Sequence, residues 1–217
     1  MEKLIFPTIN LSGVKGVLLD IDNTIYHYET CHNYALNILL SRLSTIVSNS
    51  KKEVEEEFMK SRQKINEQLH GTASSHSRFL YVQLTLEFFF GKTAFYHTLK
   101  MEKLYWDTFL SKMIIDDRAF KFINQCNNKK IPICCVTDLT TEIQFRKIVT
   151  LKLEDKISFI VTSEEAGIEK PEKKIFDLAL EKMKLNYKDV IMVGDSASKD
   201  IAGAENLGVK SYLVKSI

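Results

Sequence analysis

The chain is poor in the residues that punctuate structure. Its 217 residues include three prolines and eight glycines. It has no run of eighteen or more apolar residues, so nothing reads as a membrane span. The opening Met1-Glu2-Lys3-Leu4-Ile5-Phe6-Pro7 is too short and too soon broken by proline for a secretory signal. A net charge of +2 leaves no electrostatic footprint for a nucleic acid duplex. The four cysteines, Cys31, Cys126, Cys134 and Cys135, have no metal-type spacing with another cysteine or a histidine. They read as small buried hydrophobes in a reducing compartment, which places the protein in the cytoplasm.

What is present is an ordinary globular composition, 45% hydrophobic and 27% charged, long enough for one large domain or a domain with an insertion. Two rhythms divide it. Val14–Leu19, Ile131–Val136, Ile157–Val161, Val190–Val193 and a stretch near Lys210–Val214 are short apolar runs with helical segments between the later ones. That alternation predicts βαβ units and a parallel sheet. Residues 1–14 form a leader with no clear pattern.

Tyr26 to Met113 is different: no proline, two glycines and helical periods throughout. Ala35, Leu36, Leu39, Leu40, Leu43, Ile46 and Val47 form one apolar stripe. Ser50-Lys51-Lys52-Glu53 reads as a capping box opening a second helix, with Val54, Phe58, Ile65 and Leu69 as its stripe. After a polar break at 70–76, a third helix covers about Ser77–Phe90 and a fourth carries Phe95, Leu99, Trp106, Phe109 and Met113. Short connections predict an antiparallel bundle. The aromatic set Phe79, Tyr81, Phe88, Phe89, Phe90, Phe95, Tyr96, Tyr105 and Trp106 reads as its core. Further on, Asp116 is a candidate N-cap, a helix is expected over about Thr140–Leu151, and Pro171 stands where a helix to Met183 would take its first proline. A last helix runs to about Asn206.

Four motifs fall at the ends of apolar runs. The first run ends in Asp20-Ile21-Asp22-Asn23-Thr24, two carboxylates one residue apart. In open α/β sheets chemistry collects beyond the carboxyl ends of strands. Paired carboxylates there call for a metal ion, a cationic partner or a shared proton. Thr137-Asp138 ends the second run and offers a hydroxyl and a backbone N–H to an anionic oxygen. Lys170 follows the third and brings one positive charge. Asp195 ends the fourth, with Asp200 on or near the next helix.

Four motifs in this order, over 14–25 and 115–214, resemble the haloacid dehalogenase superfamily. The resemblance implies a Rossmann-like α/β core, 1–25 and 114–217, with an all-helical cap inserted at 26–113. It implies a phosphatase of a small phosphorylated metabolite, a sugar phosphate or nucleoside monophosphate. Asp20 would be the nucleophile forming an aspartyl-phosphate and Asp22 the general acid–base. Thr137, Asp138 and Lys170 would bind the phosphate. Asp20, Asp195 and the Asp22 carbonyl would hold Mg²⁺. Asp200 would support Lys170 or the metal shell. His76 and Arg78, from the polar segment of the insertion, are candidate specificity residues. A sugar phosphomutase and a non-catalytic binding member are the alternatives. Dehalogenase chemistry is disfavoured because that branch does not keep an aspartate at the position of Asp22.

Overall fold

The computed structural model describes residues 4–216. Five parallel strands make the main sheet: β2 (Gly16–Leu19), β3 (Ile133–Thr137), β4 (Phe159–Thr162), β5 (Val190–Gly194) and β6 (Lys210–Leu213), in the order β4-β3-β2-β5-β6. This is an α/β, Rossmann-like fold with an all-helical insertion after the first strand of the sheet. β2 is central and every residue in it is buried, as are those of β3 and β5. Strands covered on both faces need apolar side chains at every position, which is why they appear as unbroken runs rather than alternations. Leu19 stands opposite Cys135 on one side and Val193 on the other. The chain leaves β2 towards β3 and β4, then crosses to β5 on the opposite flank. Order therefore reverses at β2, and the crevice that such a reversal opens lies beyond its carboxyl end. Gly16 at the start of β2 allows a close approach: a Cβ there would come within 2.6 Å of the Leu185 side chain.

Of the helices between these strands, α5 (Asp117–Asn128) and α7 (Ser163–Ala166) start on side-chain caps. Asp116 accepts from the N–H groups of Arg118 and Ala119 to open α5. α6 (Thr141–Thr150) follows Thr140. A short α7 (Ser163–Ala166) and α8 (Lys173–Met183) come next. Pro171 lies before that helix rather than in its first turn, because the helix begins beyond Glu172. Ile175, Phe176, Ala179 and Leu180 of α8 pack on Leu18, Cys134, Val136 and Met192. The last helical stretch is not one regular helix. A π turn at Ala197–Ile201 leads into α9 (Ala202–Glu205), because the turn is tied down by Ser196 and Asp200. The expected featureless leader contains β1 (Leu4–Ile5), which pairs antiparallel with β7 (Lys215–Ser216); residues 1–3 lie outside the described ones.

The chain divides into two compact units, one up to Tyr28 and from Met113 onward, the other Glu29–Lys112. The second contains α1 (Tyr28–Val47, all but its first residue), α2 (Lys51–Gln68), α3 (Arg78–Phe90) and α4 (Phe95–Leu110). The Ser50–Glu53 capping box is formed. The polar break holds a short 3₁₀ turn, Ala73–His76. α2 packs on α3 and α3 on α4. The aromatic set divides rather than forming one core. Tyr81, Tyr105 and Trp106 are buried, whereas Phe88 and Phe95 are 64% and 77% exposed and Phe79, Phe90 and Tyr96 are also exposed. Phe88, Phe90, Phe95 and Tyr96 flank the turn at Gly91. Leu99, expected on the inner stripe of α4, is exposed as well.

Candidate active site

β2 delivers Asp20 to the crevice, where its carboxylate is buried. Its Oδ2 accepts from the Thr24 hydroxyl at 2.9 Å and its Oδ1 from Lys170 Nζ at 2.6 Å. Lys170 is buried too. Its ammonium also donates to Asp200 Oδ1 at 2.7 Å and to the carbonyl of Val136 at 2.9 Å. Asp200 thus contacts Lys170, and it also belongs to the carboxylate cluster around Asp195. Asp200 Oδ2 accepts from the N–H of Ser196 at 2.9 Å. Gly194 at the end of β5 lets Asp200 approach, since a Cβ there would stand 2.7 Å from the Asp200 Cβ.

Asp195 follows Gly194. Carboxylate oxygens of Asp20, Asp195 and Asp200 lie within 4.8 Å of one another. This crowding has an electrostatic signature. Burial pushes Asp20 well above the usual carboxylate range; Lys170 opposes the rise, and Asp200 and Asp195 add to it. Burial, then Asp200, pushes Asp195 up to about 6. Lys170 moves the other way. Burial disfavours its charge, but Asp20, Asp200 and Asp138 together raise its pKa well above the ordinary lysine value. Three hard oxygen donors sharing one positive side chain fit a small divalent cation.

Asp22 lies apart from this cluster. Its carboxylate accepts from Lys147 Nζ at 2.6 and 2.8 Å, from the Tyr26 hydroxyl and, at 3.3 Å, from Gln144 Nε2. Burial alone would raise its pKa; the Lys147 ammonium, with Tyr26 and Gln144, holds it below the usual range.

Thr137 ends β3 with its hydroxyl bonded by Gln144 Nε2 at 2.8 Å. Asp138 uses its carboxylate as well as its main chain: Oδ1 accepts the Lys170 N–H at 3.0 Å and Oδ2 accepts Lys199 Nζ at 2.8 Å. The next residue, Leu139, has φ +105°, a strained conformation for a bulky side chain. Its N–H is held by Ser163 Oγ at 2.9 Å. Asp20, Thr137, Lys170, Asp195 and Asp200 thus meet at one edge of the sheet, with Asp22 and Asp138 beside them. His76 and Arg78 belong to the helical unit. Arg78 is buried there, with its guanidinium 5.3 Å from the Trp106 ring and donating to the His76 carbonyl at 2.6 Å.

Gln144 and Lys147 are the residues that sequence reasoning missed. The available signal was a lysine sharing the buried side of α6 with Ile143 and Ile148. A charge on an apolar stripe, on the helix that follows Thr137-Asp138, marks a partner that must be anionic.

A family model for haloacid dehalogenase-like hydrolases matches residues 14–208. The chain belongs to that family. A ribulose-1,5-bisphosphate 5-phosphatase from Halopiger xanaduensis is 33% identical over 199 residues, covering 91% of this chain and 83% of the relative. A glyceraldehyde 3-phosphate phosphatase from Methanopyrus kandleri is 25% identical over 213 residues, covering 93% and 84%. Among solved structures, a 2-haloacid dehalogenase from Pseudomonas syringae pv. tomato superposes with a TM-score of 0.73 at 21% identity, covering 91% of this chain and 85% of the other. That likeness speaks for the fold alone. As a member of this family the chain is a hydrolase, and no helix among the described residues is long and apolar enough to cross a membrane.

Proposed function

We propose that this protein is a Mg²⁺-dependent phosphatase of a small phosphorylated metabolite, acting in the cytoplasm through an aspartyl-phosphate on Asp20. It is a phosphoric monoester hydrolase of the haloacid dehalogenase-like family. The observation that carries the mechanism is the Asp20–Lys170–Asp200 bridge with Asp195 beside it. A carboxylate attacking a phosphate dianion meets like-charge repulsion, and a buried lysine on the attacking group offsets it. Asp20 Oδ would bond to phosphorus as the ester oxygen leaves, taking a proton from Asp22, which must first take that proton up from solvent against the pull of Lys147. A water, losing its proton to Asp22, would then displace Asp20. Thr137, the Asp138 N–H and Lys170 would hold the phosphate oxygens. Asp20, Asp195 and the Asp22 carbonyl oxygen would hold Mg²⁺, which when bound supplies a positive counter-charge to the phosphate.

The relatives named for ribulose bisphosphate and glyceraldehyde phosphate support a sugar phosphate ahead of a nucleoside monophosphate. On this reading the core comprises 1–25 and 114–217, the helical insertion at 26–113 selects the substrate, and His76 and Arg78 are its specificity residues. The test is phosphate release across a panel of phosphorylated metabolites, with Mg²⁺ and with EDTA. Metal-dependent release concentrated on sugar phosphates is expected, with Asp20→Asn slower by about a thousandfold or more. Equal rates for Asp20→Asn and the wild type would sink the mechanism. Isomerised sugar phosphates without free phosphate would make the protein a mutase.

A further inference from the structure

The loop that follows β3 is bent against the preference of its own residue. Leu139 has φ +105°, where a side chain with a Cβ is strained and glycine is at ease. A bulky residue keeps such a backbone only when its surroundings over-determine it. Here the end of β4 supplies the constraint. The Ser163 hydroxyl accepts the Leu139 N–H at 2.9 Å and donates to the Leu139 carbonyl at 3.4 Å. Just beyond Leu139, the Thr141 N–H donates to Glu164 at 2.7 Å, and the hydroxyls of Thr141 and Thr162 meet at 2.7 Å. The carbonyl of the same Asp138–Leu139 peptide accepts from Gln144 Nε2 at 2.7 Å. One peptide plane is thus pinned at both ends, its N–H on Ser163 and its C=O on Gln144. The helix that Ser163 opens does not need this hydroxyl, because Thr162 caps it by accepting the Glu165 N–H. Ser163 is nonetheless fully buried, and a buried hydroxyl is tolerated where it has partners. Its partners are both groups of Leu139.

The pinned peptide stands beside Asp20. Leu19 pairs with Cys135, so Asp20 comes level with Val136, one residue before Thr137. Lys170 grips this end of β3 twice, through Nζ on the Val136 carbonyl at 2.9 Å and through its N–H on Asp138 Oδ1 at 3.0 Å. The same Nζ holds Asp20 Oδ1 at 2.6 Å. A turn of the Asp138–Leu139 peptide would therefore displace Asp138, with the N–H assigned to the phosphate, and disturb the main chain of Lys170. We propose that Ser163 is a positioning residue for phosphate binding: it keeps Leu139 at positive φ, and so keeps the Thr137 hydroxyl and the Asp138 N–H in register with Asp20. The inference rests on the phosphatase reading. Ser163 itself exchanges no proton and takes no part in the bond changes.

A glycine separates this role from a merely structural one. Ser163→Ala leaves the buried Leu139 N–H unpaired and frees the loop to turn away from positive φ. KM for the best sugar phosphate of the wild-type panel and the inhibition constant of inorganic phosphate should both rise about tenfold, the order of a buried N–H left without a partner. The change in kcat should be smaller, because these contacts hold the phosphate before the chemistry begins. Leu139→Gly adopts positive φ without strain. Added to Ser163→Ala, it should bring both constants back to within about threefold of the wild type. Ser163→Cys keeps a weak acceptor at the same place and should fall between the wild type and Ser163→Ala, which retains a rescue if the double variant does not fold. A clamp that serves stability alone would lower the thermal midpoint of Ser163→Ala and leave both constants unchanged. That result would overturn the proposal while leaving the phosphatase reading intact, and so would a loss that neither Leu139→Gly nor Ser163→Cys repairs. A folded wild-type protein that releases phosphate from no ester would remove that reading, and this inference with it.

Discussion

Lys170 neutralises two buried carboxylates at once, and neither Asp20 nor Asp200 has solvent to fall back on. Removing one member of a buried charge group costs far more than the intact group contributes, because the partners are left unpaired. Lys170→Met should therefore lower unfolding free energy by about 3–5 kcal/mol, read from the urea midpoint at neutral pH. A loss below about 1 kcal/mol would mean that the carboxylates find other relief. Placement of Asp20, Thr137 and Asp195 was legible in the sequence because each is the last polar event of an apolar run, and a run that ends in a sheet ends at its edge. Gln144 and Lys147 were not, because their meaning depends on where Asp22 lies in space, 122 and 125 residues away along the chain. The side-chain role of Asp138 was hidden for the same reason, since its partners Lys170 and Lys199 arrive from other strands' loops.

Among elements, the helical unit has its own titrating contact. His32 on α1 bonds the Tyr105 hydroxyl of α4 through Nδ1 at 2.7 Å. Burial, with Arg78 and Arg62 near, holds its pKa down to about 4. The unfolded chain takes up a proton near pH 6.5 and the folded one does not, so stability is lost as pH falls from about 6.5 to about 4. After discounting for its partial exposure, the loss is on the order of 2 kcal/mol. The thermal midpoint of His32→Gln should be flatter than that of the wild type over this range; parallel curves would refute the assignment. Strand and helix positions were readable to within a few residues because periodicity reports burial. The exposure of the aromatic helix ends was not, because an apolar residue in a helical sequence does not say whether another element covers it; Phe88 and Phe95 are exposed.

At the scale of the whole molecule, the carboxylate cluster links stability to cation and pH. Asp195, raised to about 6 in the folded state, contributes stability that is complete below about pH 4 and is lost as pH rises through about 6. A cation binding the ionised cluster restores it. Mg²⁺ should therefore raise the thermal midpoint more at pH 8 than at pH 5, by several degrees at saturation, as scanning calorimetry with and without EDTA would register. An equal shift at both pH values would detach the cation from this cluster. The division into α/β and helical parts was legible as a change of rhythm near Tyr26 and again after Met113. The antiparallel clasp of Leu4–Ile5 on Lys215–Ser216 was not, since two residues carry no period.

Where the chain departs for the helical unit, and where it comes back, Tyr26 and Ile115 are bridged antiparallel, and the Asp116 N–H bonds the Ile25 carbonyl at 2.9 Å. Departure and return therefore share one doorway. A detour whose two ends already touch can be lengthened, shortened or exchanged without re-threading the sheet. A lineage could thus recombine new helical cassettes at this single seam while the sheet and the residues at its carboxyl edge passed on unaltered.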